Sequence, residues 1–171
     1  MRVGVLTISD RSARGEREDR SGPALAAEME SKGWEVAQAA VVADEPTLIS
    51  QRLQEWADSG AVDLILTTGS TGFSPRDVAP EATLAVVNRL APGLAEAMRA
   101  RGLKQTPHAM LSRAVAGIRG DVLIVNLPGS PKAAHESLQV ILPALPHAVE
   151  LMRGVPGSEQ RHRHPPTHST I

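Results

Sequence analysis

The chain has no cysteine and no tyrosine, and only one phenylalanine and two tryptophans in 171 residues. Without cysteine there can be no disulfide, no thiolate metal site and no cysteine nucleophile. Aromatics make up 2% of the residues, so Leu, Val, Ile and Ala must fill the core. Stacking platforms for single-stranded nucleic acid are missing as well. The formal net charge is −1 and there is no long basic run, so the footprint of a phosphate-backbone binder is absent. Nucleic acid is not an expected partner. No apolar stretch is long enough for a signal peptide or a membrane span, and Met1 to Leu6 enters a strand directly; no membrane association and a cytoplasmic location are expected. Two nucleotide signatures are also missing, the G-x-x-x-x-G-K-[ST] loop and the G-x-G-x-x-G fingerprint. His135-Glu136 lacks the second histidine of a zinc helix, and Ser130 does not sit in a G-x-S-x-G elbow.

What is present is organised around Leu64 to Thr83. Leu64-Ile65-Leu66 begins a short apolar run, the pattern of a strand buried on both faces. A polar loop with Gly69, Gly72 and Pro75 follows, and Pro80 opens a helical pattern at a first-turn position. Glycines let backbone N–H groups approach an anion, and Thr67, Thr68, Ser70 and Thr71 add hydroxyls. In an open α/β sheet, ligands bind at such carboxyl ends of strands. An ordinary glycine-rich βα turn is the plain alternative.

The rest of the chain alternates in the same way. Val3 to Ile8 reads as a buried first strand running into a polar loop, Ser9 to Ser12, and then a charged, solvated run, Gly15 to Arg20. Ser21-Gly22-Pro23 starts a helix, with Ser21 as its cap. Glu35 to Val42 is a second strand, and a helix carrying Ile49, Leu53 and Trp56 leads to the third, Val62 to Thr67. Helices are expected over Glu81 to Asn88 and Pro92 to Arg101, with a helical turn over His108 to Leu111. Ala114 to Arg119 and Val122 to Asn126, split by Gly120-Asp121, predict a hairpin and hence a mixed sheet. Asn126 to Lys132 is a second strand–loop–helix junction, and Leu145 to Met152 is the last helix. The expected fold is α/β: a three-layer α/β/α domain over 1–154 with a mostly parallel, mixed central sheet. A disordered tail is expected over 155–171, where His162, His164 and His168 are read as solvated.

Two junctions therefore carry the candidate chemistry. Gly69 to Gly72 offers backbone donors; Gly129-Ser130-Pro131-Lys132 offers donors and a cation at a helix N-terminus, suited to a phosphate. Arg113 has the geometry for bidentate phosphate contact. Asp44 and Asp77 stand where loops enter helices. Each has a plain reading, Asp44 as a helix cap and Asp77 as a turn-former. Beside phosphate-binding groups, their hard oxygens would instead suit Mg²⁺ held jointly with substrate phosphates.

Thr67 to Val78 followed by Pro80-Glu81-Ala82-Thr83 resembles the T-x-G-G-T-G…R-D-x-x-P-E-A-T motif of the MogA/MoaB molybdenum-cofactor biosynthesis proteins. Ser112 to Arg119 and Leu127 to Lys132 match two further blocks of that family, and Thr7 to Arg11 and Asp19 to Pro23 also fit. The resemblance covers roughly residues 1–154. It implies a molybdopterin adenylyltransferase, using ATP, molybdopterin and Mg²⁺, assembled as a homotrimer and working beside a molybdenum-insertion partner protein. The family's two essential aspartates fall on Asp44 and Asp77, as catalytic and Mg²⁺-holding residues. Nucleotide and molybdopterin binding is expected at Ser9, Asp10, Gly69, Ser70, Thr71, Gly72, Ser112, Arg113, Asn126, Pro128, Gly129, Ser130 and Lys132. Ser70 departs from the pattern, standing where the family usually has its second loop glycine. If that position needs positive φ, serine costs about 1 kcal/mol. A non-catalytic pterin- or nucleotide-binding carrier is the alternative activity.

Overall fold

The computed structural model describes residues 1–158. Six strands form one sheet in the order β2-β1-β3-β6-β5-β4: β1 (Arg2–Ile8), β2 (Glu35–Val42), β3 (Leu64–Thr68), β4 (Arg89–Leu90), β5 (Ala116–Arg119) and β6 (Val122–Leu127). The pairs β1–β2, β1–β3 and β3–β6 are parallel, while β5–β6 and β4–β5 are antiparallel. The sheet is therefore mixed and mostly parallel, and the Gly120-Asp121 hairpin lies where the sequence places it.

Period-two alternation sends successive side chains to opposite faces. Val3, Val5, Leu64, Leu66, Leu123 and Val125 pack with Leu25 and Met29 of α2 (Ser21–Ser31), Met98 of α5 (Pro92–Leu103), Leu138 of α6 (Pro131–Ile141) and Leu145 of α7 (Leu145–Met152). Leu6, Ile8, Ile65 and Ile124 pack the other way, against Ile49, Leu53 and Trp56 of α3 (Pro46–Asp58) and Ala79 and Ala82 of α4 (Ala79–Leu84). Helices cover both faces, giving three layers. No described helix is long and apolar enough to cross a membrane.

The local structure departs from the sequence pattern at several places. The loop after β1 contains a short helix, α1 (Asp10–Ala13), whose first turn is capped by the Ser9 hydroxyl accepting from the Ser12 N–H. Ser21 does not cap α2: the Asp19 carboxylate accepts from the Ser21 and Gly22 N–H groups instead, two residues earlier than the sequence suggests. Asp44 does not cap α3, which has no side-chain cap; Glu45 holds the cap position. The helix expected to run to Asn88 stops at Leu84. The Asn88 N–H donates to Ile118 O, drawing the chain onto the sheet edge as β4, which the sequence pattern does not reveal. From the segment read as a tail, 155–158 continue α7 as a turn, with the Val155 N–H donating to Glu150 O. The histidines His162, His164 and His168 lie outside the described residues.

Candidate active site

The chain turns to opposite faces after β1 and β3: β1 leads to α2, packed on one face, and β3 leads to α4, packed on the other. A crevice must open where neighbouring strands diverge in this way. An open cleft of about 730 Å³ lies there, lined by Thr7, Ile8 and Ser9 from the end of β1, Asp44 from beyond β2, Thr68, Gly69 and Ser70 from β3, and Gly129, Ser130 and Pro131 from beyond β6. The two junctions picked out in the sequence thus meet in one place.

Backbone contact holds them together. The Gly69 N–H donates to Leu127 O, the Thr68 hydroxyl to Pro128 O and the Ser21 hydroxyl to Gly129 O. Gly69 has φ +103, and a Cβ there would come within 2.3 Å of Ile8 O. On Gly129 a Cβ would lie 3.1 Å from the Gly69 Cα. The floor of the cleft is main chain because there is no room for anything else.

Ser70 has φ +58, the one non-glycine residue with positive φ among the described residues. Its strain is met by bonding. The Ser70 hydroxyl accepts from the Val78 N–H at 2.8 Å and donates to Arg76 O at 3.2 Å, while its carbonyl accepts from the Ala79 N–H. The hydroxyl adds two ties between the loop and the residues leading into α4 that a glycine could not make.

Other expected residues stand elsewhere. Thr71, Gly72, Ser112 and Pro128 line a second, more apolar cavity of about 310 Å³ between α5, the turn Pro107–Leu111 and the start of α6. Arg113 lines neither cavity. Its guanidinium donates to the backbone oxygens of Gly72 and Asp77 and pairs with Glu81, and so fastens the 72–77 loop. Asn126 is fully buried, donating to the Thr67 and Thr83 hydroxyls and accepting from the Val115 N–H. Lys132 also lies outside both cavities. Its side chain is 83% exposed and leans along α6 toward Glu136 at 3.9 Å.

The acidic residues divide similarly. Asp44 lines the cleft, its Oδ2 accepting from the Asp10 N–H at 2.6 Å. Asp10 lies just outside the lining, its carboxylate gripped by Arg76. The Arg76 hydrogen bonds hold the Asp10 carboxyl below the usual carboxylate range, against a smaller upward push from burial and with help from the Asp44 N–H. Asp77 is in neither lining; its Oδ2 accepts from the Ser74 N–H, the turn-forming role expected on plain grounds.

The cations of the cleft are ones the sequence reading set aside. Arg17 and Arg20 line it, Arg17 reaching the Ser9 hydroxyl at 3.4 Å and Arg20 pairing with Glu18. The run Gly15 to Arg20 reads as solvated, and it is exposed except at Asp19, whose carboxylate accepts from the Thr7 hydroxyl and the N–H groups of Ser21 and Gly22. Its place after the first parallel strand was the available signal, since that loop must lie at the ligand-binding end of the sheet.

No three acidic or histidine side chains among the described residues form a ready metal cage. Asp44 Oδ1, without a hydrogen-bond partner among the described residues, suits a hard cation held mainly by substrate phosphates and water. The donor set fits Mg²⁺ in that form.

Comparison with known proteins agrees with this architecture. Residues 4–147 match the family described as a probable molybdopterin binding domain. The chain is 43% identical over 154 residues to a molybdopterin adenylyltransferase of Helicobacter pylori, spanning 89% of this chain and 88% of that one. It is also 44% identical to gephyrin of Dictyostelium discoideum, but spans 24% of that protein's length. Among solved structures, the molybdopterin biosynthesis enzyme MoaB of Thermus thermophilus superposes with a TM-score of 0.85 at 54% identity, covering 91% of this chain and 98% of the other. The molybdopterin biosynthesis Mog protein of Mycobacterium ulcerans gives 0.82 at 41%, covering 88% and 97%. On matched sequence, matched fold and the placement of its strand-end loops, the chain belongs to the MogA/MoaB family of molybdopterin-binding and adenylyltransferase proteins.

Proposed function

We propose that this protein transfers an adenylyl group from ATP to molybdopterin, giving adenylyl-molybdopterin and pyrophosphate, as a cytoplasmic homotrimer that serves a molybdenum-insertion partner. The observation that carries this reading is the meeting of two phosphate-suited junctions with a carboxylate, Asp44, in one cleft at the carboxyl end of the parallel strands.

In the reaction, a terminal phosphate oxygen of molybdopterin attacks the α-phosphorus of ATP. A new P–O bond forms, the bond from the α-phosphorus to the bridging oxygen breaks, and its electron pair leaves on pyrophosphate. No proton need be removed from the attacking phosphate at neutral pH. The protein's task is to align two anions and offset their repulsion. The Ser70 N–H and the uncapped start of α6 at Ser130 are assigned that task, the Gly69 N–H being spent on Leu127 O. Arg17 adds positive charge from the rim, while the charge of Arg20 is paired with Glu18, which lines the cleft beside it. Mg²⁺ would be held by Asp44, with Asp77 assigned as a second holder through the oxygen not engaged by the Ser74 N–H, and would supply charge neutralisation on the ATP phosphates. Substrate binding is assigned mainly to Ser9, Gly69, Ser70, Gly129 and Ser130, with Thr71, Gly72, Ser112 and Pro128 flanking on the second cavity.

The test is pyrophosphate release from Mg-ATP with and without molybdopterin, beside calorimetric titration of each ligand. Molybdopterin-dependent release is the expected result. Tight molybdopterin binding with neither Mg-ATP affinity nor release would overturn the transferase and leave a non-catalytic carrier. Arg17→Ala should weaken binding of the phosphate ligand by about 1–3 kcal/mol, the usual loss for a hydrogen bond to a charged group. Lys132→Ala should change it far less, and the reverse order would return the phosphate to α6.

A further inference from the structure

Asp10 was expected to touch ligand, yet both of its carboxylate oxygens are engaged within the protein. Oδ2 accepts from Arg76 Nε at 3.0 Å. Oδ1 accepts from Arg76 Nη2 at 3.0 Å and from the Asp44 N–H at 3.0 Å. The Asp10 N–H in turn donates to Asp44 Oδ2 at 2.6 Å. The two aspartates therefore close a ring between the loops after β1 and β2. Arg76, from the loop after β3, grips that ring from outside, and a further bond from its Nη2 to Glu45 at 2.7 Å braces the guanidinium. Two-point guanidinium–carboxylate pairing fixes direction as well as charge.

The ring has one open corner. Asp44 is its only member in the cleft lining, and its Oδ2 is spent on the Asp10 N–H, while Oδ1 keeps no hydrogen-bond partner among the described residues. We propose that Asp10 and Arg76 are positioning residues, fixing the Asp44 side chain so that Oδ1 is offered to the cation or polar group of a cleft ligand. They do not themselves bind it. This rests on the reading of Asp44 given above. It explains why an arginine stands beside Asp77 in the chain yet enters neither cavity: its partner is the acidic ring, not a phosphate.

The ring can be tested without turnover. In ¹⁵N-labelled full-length protein, the Asp10 amide should be shifted downfield and protected from exchange, as a short N–H bond to a carboxylate requires. Arg76→Gln should speed its exchange at least tenfold, with amides of β3 unaffected. The same variant should raise the Mg²⁺ concentration for half-maximal pyrophosphate release by about 10–100-fold, the usual result of removing a support behind a metal ligand. Saturating Mg²⁺ should bring the rate back to within about twofold. Arg76→Lys keeps the charge without the two-point grip and should fall between the two on both readouts. Unchanged Asp10 exchange and Mg²⁺ dependence in folded Arg76→Gln would overturn the proposal, as would full recovery of both by lysine. Should Arg76→Gln fail to fold, Asp10→Asn, which keeps the side-chain shape, carries the same readouts with the same criteria. Lost Asp10 protection in the variant supports the ring even if wild-type protein releases no pyrophosphate; that outcome overturns the reaction alone.

Discussion

Ser70 shows how one residue can carry opposing contributions. Its left-handed backbone costs about 1 kcal/mol relative to glycine. Its hydroxyl makes two hydrogen bonds of about 1 kcal/mol each, to the Val78 N–H and Arg76 O. Ser70→Gly removes both the strain and the bonds, and should destabilise by about 1 kcal/mol. Ser70→Ala keeps the strain and loses the bonds, for about 2 kcal/mol. Urea denaturation should rank wild type above Gly, and Gly above Ala; Gly ranking first would mean that the hydroxyl bonds are worth less than the strain. Asp77 makes a different case. Asparagine can still accept from the Ser74 N–H, so Asp77→Asn should keep its melting temperature while losing most turnover. Near wild-type turnover in that variant would take the residue out of the reaction.

At the scale of elements, Asp63 binds two other segments at the end of the sheet opposite the cleft. Its buried carboxylate accepts from the Arg2 backbone N–H and guanidinium at the start of β1, and pairs with Arg153 just past α7. Burial pushes the Asp63 carboxyl up, but the hydrogen bonds from Arg2, with the charges of Arg153 and Arg2, outweigh it and hold the group below its ordinary value. Because the folded value is depressed, the unfolded chain binds more protons as pH falls. The stabilisation is full above the unfolded carboxylate pKa of about 4 and is lost as pH drops through the folded value. Asp63→Asn should therefore cost about 1–3 kcal/mol at pH 7, and the gap should shrink by pH 3. Urea midpoints at the two pH values check this, and a constant gap would show that packing rather than charge is what was lost.

The elements also show what a sequence can reveal. Strands β1, β3 and β6 are legible because they are buried on both faces and read as apolar runs. The cap of α2 is not, since Asp19, rather than the favoured Ser21, has its carboxylate aimed at the Ser21 and Gly22 N–H groups. Strand β4 is two residues drawn in by a long-range bond to Ile118 O, which no local pattern contains. Within the candidate site, the glycine loops stand out by composition. The roles of Arg113, Asn126 and Lys132 do not, because motif position says nothing about where a side chain's donors point. Arg113 and Asn126 turn inward to hold the loops, and Lys132 turns out to solvent.

On the scale of the whole molecule, the ends of the sheet differ in kind. One carries Asp63 and its ion pairs; the other carries the cleft, with its uncapped α6 and strained Ser70 loop. A ligand that binds the folded state stabilises it by mass action, about 2.7 kcal/mol at a hundredfold excess over Kd. Added Mg-ATP should accordingly raise the melting temperature. Hydrogen exchange should slow at 9–21, 69–72 and 129–130, with amides around Asp63 and Gly120 unchanged. Protection spread evenly over both ends would mean that the ligand does not sit in the cleft.

The close approach of Gly69 and Gly129 also bears on how such a protein can diverge. A surface built from peptide groups has nothing for substitution to alter; a mutation there can only obstruct it. New preferences for one nucleotide or pterin over another must therefore be written at the rim, in positions such as Arg17 and Arg20, while the floor is inherited intact. Libraries made to change what this cleft accepts should leave residues 69 and 129 fixed and spend their diversity on the loop after β1.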